Sequence, residues 1–158
     1  MGVCGFVASG VNFEVDEYLR TTPFEVLCVF HKGGGRGAGD LESGPRPDSG
    51  FAAVVSHDDL PHLLDQVSEA LEFLEVHEKE LERLKGLGVD RMALDFRVPH
   101  FDNPQPTHEL PAALITAMSR WGMDLIFSVV EIPEAEHHFR RRFNSRRRRS
   151  TPGTPRRR

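Results

Sequence analysis

Four groups of residues in this chain have types and spacings that can do chemistry. The first follows a predicted strand, where His100, Asp102, His108 and Glu109 lie just beyond Asp95 and Arg97. Imidazoles and carboxylates gathered at a strand end can ligate zinc or iron, or work as an acid–base pair. Here the spacing matches no HxH, HExxH or two-His-one-carboxylate pattern, and Pro99, Pro104 and Pro106 are ordinary turn residues. The expectation for His100, Asp102 and His108 is therefore a solvated loop, with no metal and no cofactor assigned. His57, His62, His137 and His138 have the same standing.

The second group is Cys4 and Cys28, the two cysteines of the chain. They form no CxxC or zinc-type spacing, and each sits in an apolar, strand-like context that raises a thiol pKa and quiets it. Buried, reduced thiols are expected, not a disulfide. The third is the glycine run Gly33-Gly34-Gly35-Arg36-Gly37-Ala38-Gly39. A phosphate cradle would need GxxxxGK[ST] or GxGxxG leading into a helix, and neither is present. Together with Pro45 and Pro47 it predicts a flexible loop over residues 32–50.

The fourth group is the arginine-rich end, where Arg140, Arg141, Arg142, Arg146, Arg147, Arg148 and Arg149 are followed by Arg156, Arg157 and Arg158. A disordered arm of guanidiniums suits phosphate backbones, with affinity that falls steeply with salt. Phe139 and Phe143 would be available to stack on bases. The rest of the chain has no helix-turn-helix, zinc-finger or RNP-like pattern to accompany it. Folding of the arm onto the acidic body and a purely solubilising role are competing readings.

That body is strongly acidic. The chain has 20 basic and 24 acidic residues. Residues 140–158 hold ten of the basic and none of the acidic ones, so residues 1–139 carry ten against twenty-four. With 39% of residues apolar, the chain can bury a core without disulfides or structural metal. No signal-peptide pattern or apolar run long enough to span a bilayer is present, so a cytoplasmic protein with no membrane association is expected. The division expected is a single domain over residues 1–136 and a disordered arginine-rich tail over 137–158.

The elements that must position these groups follow from periodicity. Residues 3–8, 25–31 and 51–55 are β-branched and aromatic enough for strands. A short helix is predicted over 15–20, capped by Asn12 and stopped before Pro23. Ser56 and Asp59 have capping-box spacing before a long helix. Its stripe runs through Leu60, Leu63, Leu64, Val67, Leu71, Leu74, Leu81 and Leu84 over about seven turns. It ends at the glycines Gly86 and Gly88. The next strand alternates, with Met92, Leu94, Phe96 and Val98 on a core face and Ala93, Asp95 and Arg97 on a wet one. Thr107 caps a second helix whose buried side is Leu110, Leu114, Met118 and Trp121, and Gly122 closes it. The final strand is apolar on both faces from Leu125 to Val130, the pattern of a central position.

Strands joined through a helix run parallel with a right-handed crossover. The fold expected is α+β, a two-layer sandwich with a mixed sheet of about five strands and one long and one shorter helix on one face.

With that core in place, residues 50–132 resemble a group of small bacterial α+β domains of unknown function regarded as candidate immunity proteins of polymorphic-toxin systems. The resemblance lies in the strand entering an Asp-capped helix (Phe51 to Asp59) and the helix LLDQVSEALEFLEVHEKELERLKGLGVD. The strand MALDFRV, the ending LPAALITAMSRWGMDLIFSVVEI and, near the start, ASGVNFEVDEYL also carry it. It implies a non-enzymatic domain that binds another protein and brings no catalytic residues. An acidic surface suits a basic target such as a nuclease, and Glu69, Glu72, Glu75, Glu80 and Glu82 are the partner-binding residues to follow. The alternative function is a nucleic-acid-associated accessory protein acting through the tail. The oligomeric state is open.

Overall fold

The computed structural model describes residues 4–35, 44–56, 63–99 and 109–130. Five strands and four helices follow one another as β1 (Gly5–Gly10), α1 (Val15–Leu19), β2 (Val26–Phe30), β3 (Ser49–Val54), α2 (Leu63–Val76), α3 (Glu78–Gly86), β4 (Arg91–Pro99), α4 (Ala112–Trp121) and β5 (Asp124–Val130). The strands form one open mixed sheet in the order β2-β3-β1-β4-β5. β1 lies at its centre, antiparallel to both β3 and β4, and β2 is antiparallel to β3. β4 and β5 are parallel. A parallel pair needs a crossover connection, and α4 supplies it. The α+β class expected from the sequence is the one observed.

Register decides which side chains share a face. Phe6 lies opposite Ala53 and Leu94, Ala8 opposite Phe51 and Met92, and Phe96 beside Phe127. These residues form the face on which the helices bury Tyr18, Val67, Phe73, Leu74, Leu81, Leu84, Leu114 and Met118. Leu81, Leu84 and Leu114 are wholly buried, each contributing about 1.5–3 kcal/mol. The glycine turns behave as their type requires. Gly122 takes the left-handed conformation (φ 63°, ψ 39°) that closes α4. After α3 it is Gly88, with φ 85°, that makes the turn, while Gly86 stays helical.

Several local expectations change. The predicted long helix is interrupted at His77, so α2 and α3 are separate segments. No side-chain cap serves α1 or α4, whose N-cap positions are Glu14 and Pro111, not Asn12 or Thr107. The buried Ser56 hydroxyl oxygen accepts from the Cys4 amide at 2.9 Å, while Asp59, its expected partner in a capping box, lies outside the described residues. Part of the glycine-rich region is tied down. Gly33 N–H donates to Arg46 O at 2.8 Å, Arg46 N–H donates to Gly34 O at 3.1 Å, and β3 already begins at Ser49. β5, expected in the centre, is an edge strand.

The end of β1 is the tightest crossing. A Cβ on Gly10 would run into the Gly88 carbonyl and lie 3.2 Å from Asp90 N. Asp90 itself is fixed there, donating its N–H to Ser9 O at 2.9 Å and accepting from Val11 N–H at 3.0 Å. Gly10→Ala is expected to destabilise by about 1–3 kcal/mol. Gly86→Ala, whose Cβ would meet nothing within 4 Å, is expected to be neutral or to stabilise by up to about 1 kcal/mol. Urea titration of the two variants checks the contrast.

Candidate protein-binding surface

The α2–α3 layer owes its acidity to helical spacing. Burial of Leu63, Gln66, Val67, Ala70, Phe73 and Leu74 on α2 leaves Asp65, Glu72 and Glu75 exposed. On α3 the buried Leu81 and Leu84 leave Glu82 exposed, beside Lys79. The five glutamates named from the sequence therefore have different surroundings. Glu72, Glu75 and Glu82 face solvent, whereas Glu69 is half-buried. Burial raises the Cys4 thiol pKa, and the charges of Asp95 and Glu69 raise it further.

Glu80 is engaged inside the protein. It accepts from the Tyr18 hydroxyl at 2.8 Å and from an Arg83 guanidinium nitrogen at 2.9 Å. The other Arg83 amine donates to Thr21 Oγ1 at 2.6 Å, and the guanidinium lies 5.1 Å from the Tyr18 ring centroid. Glu78 is matched by Arg120 of α4. Two acidic groups are thus matched across elements, while the outward row of Asp65, Glu72, Glu75 and Glu82 keeps its exposure.

On the opposite side of the sheet, register aligns Cys28, Ala52 and Val7 in one row and Gly5 with Asp95 and Ile126 in another. Ala93 and Ser9 are almost fully buried there although the sequence assigns this face to water. Small side chains sink between larger neighbours on a pleated surface. Asp95 stands in this setting, and its Oδ1 is buried with no hydrogen-bond donor. Cys28 is exposed, contrary to the expectation of burial, and both thiols are free.

Among the described residues, no three His, Cys, Asp or Glu side chains gather as a metal site. No helix among them is long and apolar enough to cross a membrane. His100, Asp102 and His108 lie outside the described residues, as do Arg140, Arg141, Arg142, Arg146, Arg147, Arg148 and Arg149. The engagement of Glu80 with Tyr18 had no signal in the sequence, because Tyr18 comes from α1, 62 residues away, whereas its pair with Arg83 has the ordinary i,i+3 spacing of one helix. No protein-family model matches the chain, and no curated protein or solved structure is significantly similar to it.

The junction beneath the acidic row carries a titratable group. His77 lies 4.7 Å from the Phe73 ring and 5.0 Å from the Phe24 ring. Desolvation lowers its pKa from 6.5, with Glu80 opposing. The unfolded chain then binds the His77 proton more readily than the folded one. This contribution to stability is full above about pH 6.5 and is lost as pH falls toward the folded value. Thermal melts of wild type and His77→Phe should show the wild type losing more stability between about pH 7.5 and about pH 5.5. Tyr18→Phe removes a hydrogen bond to a carboxylate and is expected to cost about 1–3 kcal/mol in denaturant titration at neutral pH.

Proposed function

We propose that this protein is a non-enzymatic protein-binding domain of the immunity type, which engages a basic partner through its acidic α2–α3 surface. The observation that carries the reading is the exposure of Asp65, Glu72, Glu75 and Glu82 on one helical layer. These charges remain there after Glu78 and Glu80 have found partners within the fold. A surface of this kind is complementary to a basic protein such as a nuclease, and it would speed encounter and cover a nucleic-acid site by charge. The resemblance to immunity-type domains points the same way.

The alternative is a nucleic-acid-associated accessory protein in which the arginines beyond residue 139 contact phosphates. It draws support from the ten basic and no acidic residues of 140–158.

Pull-downs with the full chain and with residues 1–138, each with and without nuclease treatment, separate the two. The protein-binding reading expects one basic protein retained by both forms regardless of nuclease. It also expects the double variant Glu72→Lys/Glu75→Lys to weaken that complex by about tenfold or more, chiefly through the association rate. Capture of RNA or DNA that requires the tail would instead move the function there.

A further inference from the structure

We propose that β5 is the interface of a symmetric dimer, in which it pairs antiparallel with β5 of a second copy and continues the sheet across a two-fold axis. From Leu125 to Val130 the strand has no charged residue and is apolar on both faces except at Ser128. That is the pattern of a strand with neighbours on both sides. Yet its partner among the described residues is β4 alone, which leaves the backbone N–H and C=O groups of its outer edge open. Phe127 is 43% and Val129 62% exposed, although both project on the core face, beside the buried Phe96 and the half-buried Val98. The Phe96 and Phe127 rings are 6.2 Å apart. α4 buries Leu114, Met118 and Trp121 but leaves these two uncovered, so a second strand has room beside them.

An edge that stays free is normally blunted by a lysine, a proline or a bulge. β2, at the other edge, has an irregularity in its register between Val26 and Cys28. β5 pairs in unbroken register from Asp124 to Val130, and its single charge, Asp124, is matched at its first residue by Arg91 at 2.8 Å.

The occupant follows from what else the chain can offer. Residues 36–43, 57–62 and 100–108 are short and rich in glycine, proline or charge. Residues 131–158 leave directly from the end of β5, meet Pro133 three residues on and contain ten arginines. A hairpin from that segment would lay charge against an uncharged apolar edge. β5 matches itself instead. A two-fold axis at Phe127 sets Phe127 against its copy, Leu125 against Val129 and Ile126 against Ser128, so residues of one face meet residues of the same face. An isologous interface requires that self-complementarity.

Light scattering and sedimentation of the full chain test this under reducing conditions, after nuclease treatment and in high salt. Neither Cys28 oxidation nor nucleic acid then joins the copies. The expected mass is twice 17.8 kDa. Phe127→Lys and Val129→Lys are expected to give folded monomers by circular dichroism. Val29→Lys on β2, where Val29 is 38% exposed, is expected to leave the dimer intact. A wild type that remains monomeric throughout the micromolar range overturns the proposal, as does a dimer that persists in both β5 variants. Should the lysine variants unfold, hydrogen exchange of the wild type decides. Slower exchange of the outward β5 amides with rising concentration is expected, and no change in them rejects the interface.

Discussion

Phe51 projects from β3 into four other rings, and the first half of the chain is organised around that contact. Tyr18 stacks on it at 5.3 Å, and Phe24, Phe6 and Phe13 lie 6.1, 6.2 and 6.3 Å away. Phe73 joins from α2, 5.5 Å from Phe6 and 5.4 Å from Phe24. One cluster thus holds together β1, the turn after it, α1, the link into β2, β3 and α2. Aromatic pairs contribute about 0.5–1.5 kcal/mol beyond their burial. α1 needs this support, since five residues do not hold a helix in isolation.

The same cluster orients the acidic layer. Tyr18 turns its ring to Phe51 and its hydroxyl to Glu80, so a core contact and a surface contact act through one side chain. Arg83 then bridges Glu80 and Thr21, fixing α3 against the end of α1. The outward carboxylates of α2 and α3 are therefore held on rigid helices whose inner sides belong to the best-packed part of the molecule. Rigidity of this kind lowers the entropic cost of presenting them to a partner.

Periodicity revealed the layers of this fold because it reports burial, residue by residue. It located the strand faces around Met92, Leu94 and Phe96, the buried side of α4 and the left-handed glycines. It missed the break at His77 for a geometric reason. Leu74 and Leu81 are seven residues apart, two helical turns, so the apolar stripe runs through the interruption without a fault. The capping assignments failed at α1 and α4, whose N-cap positions are Glu14 and Pro111, because a polar residue caps only the helix that starts beside it. The contact of Ser56 with the Cys4 amide, 52 residues away, had no local signal either. Leu64 belongs to the stripe and is nevertheless 61% exposed, because it flanks the buried line of Leu63, Val67 and Leu74. Of the candidate surface, the sequence showed the acidic residues but not which are matched internally. That depends on long-range pairs such as Glu78 with Arg120.

Those pairs explain why the exposed remainder is negative. Among the described residues, the ion pairs formed by arginines join segments distant in sequence in two cases, Arg120 to Glu78 between α4 and α3 and Arg91 to Asp124 between β4 and β5. Arg83 pairs within α3 but reaches Thr21 beyond α1. Pairs with this much solvent exposure add little stability, about 0–1 kcal/mol each. Their larger effect is on which charges are left over. Residues 1–139 hold ten basic side chains against twenty-four acidic ones. Each arginine that joins two elements removes one of those few cations from the outer face, and among the described residues no pair of this kind draws in Asp65, Glu72, Glu75 or Glu82, all of which stay exposed. The negative field of the α2–α3 layer therefore follows from where the fold places its arginines as much as from how many acids the chain contains.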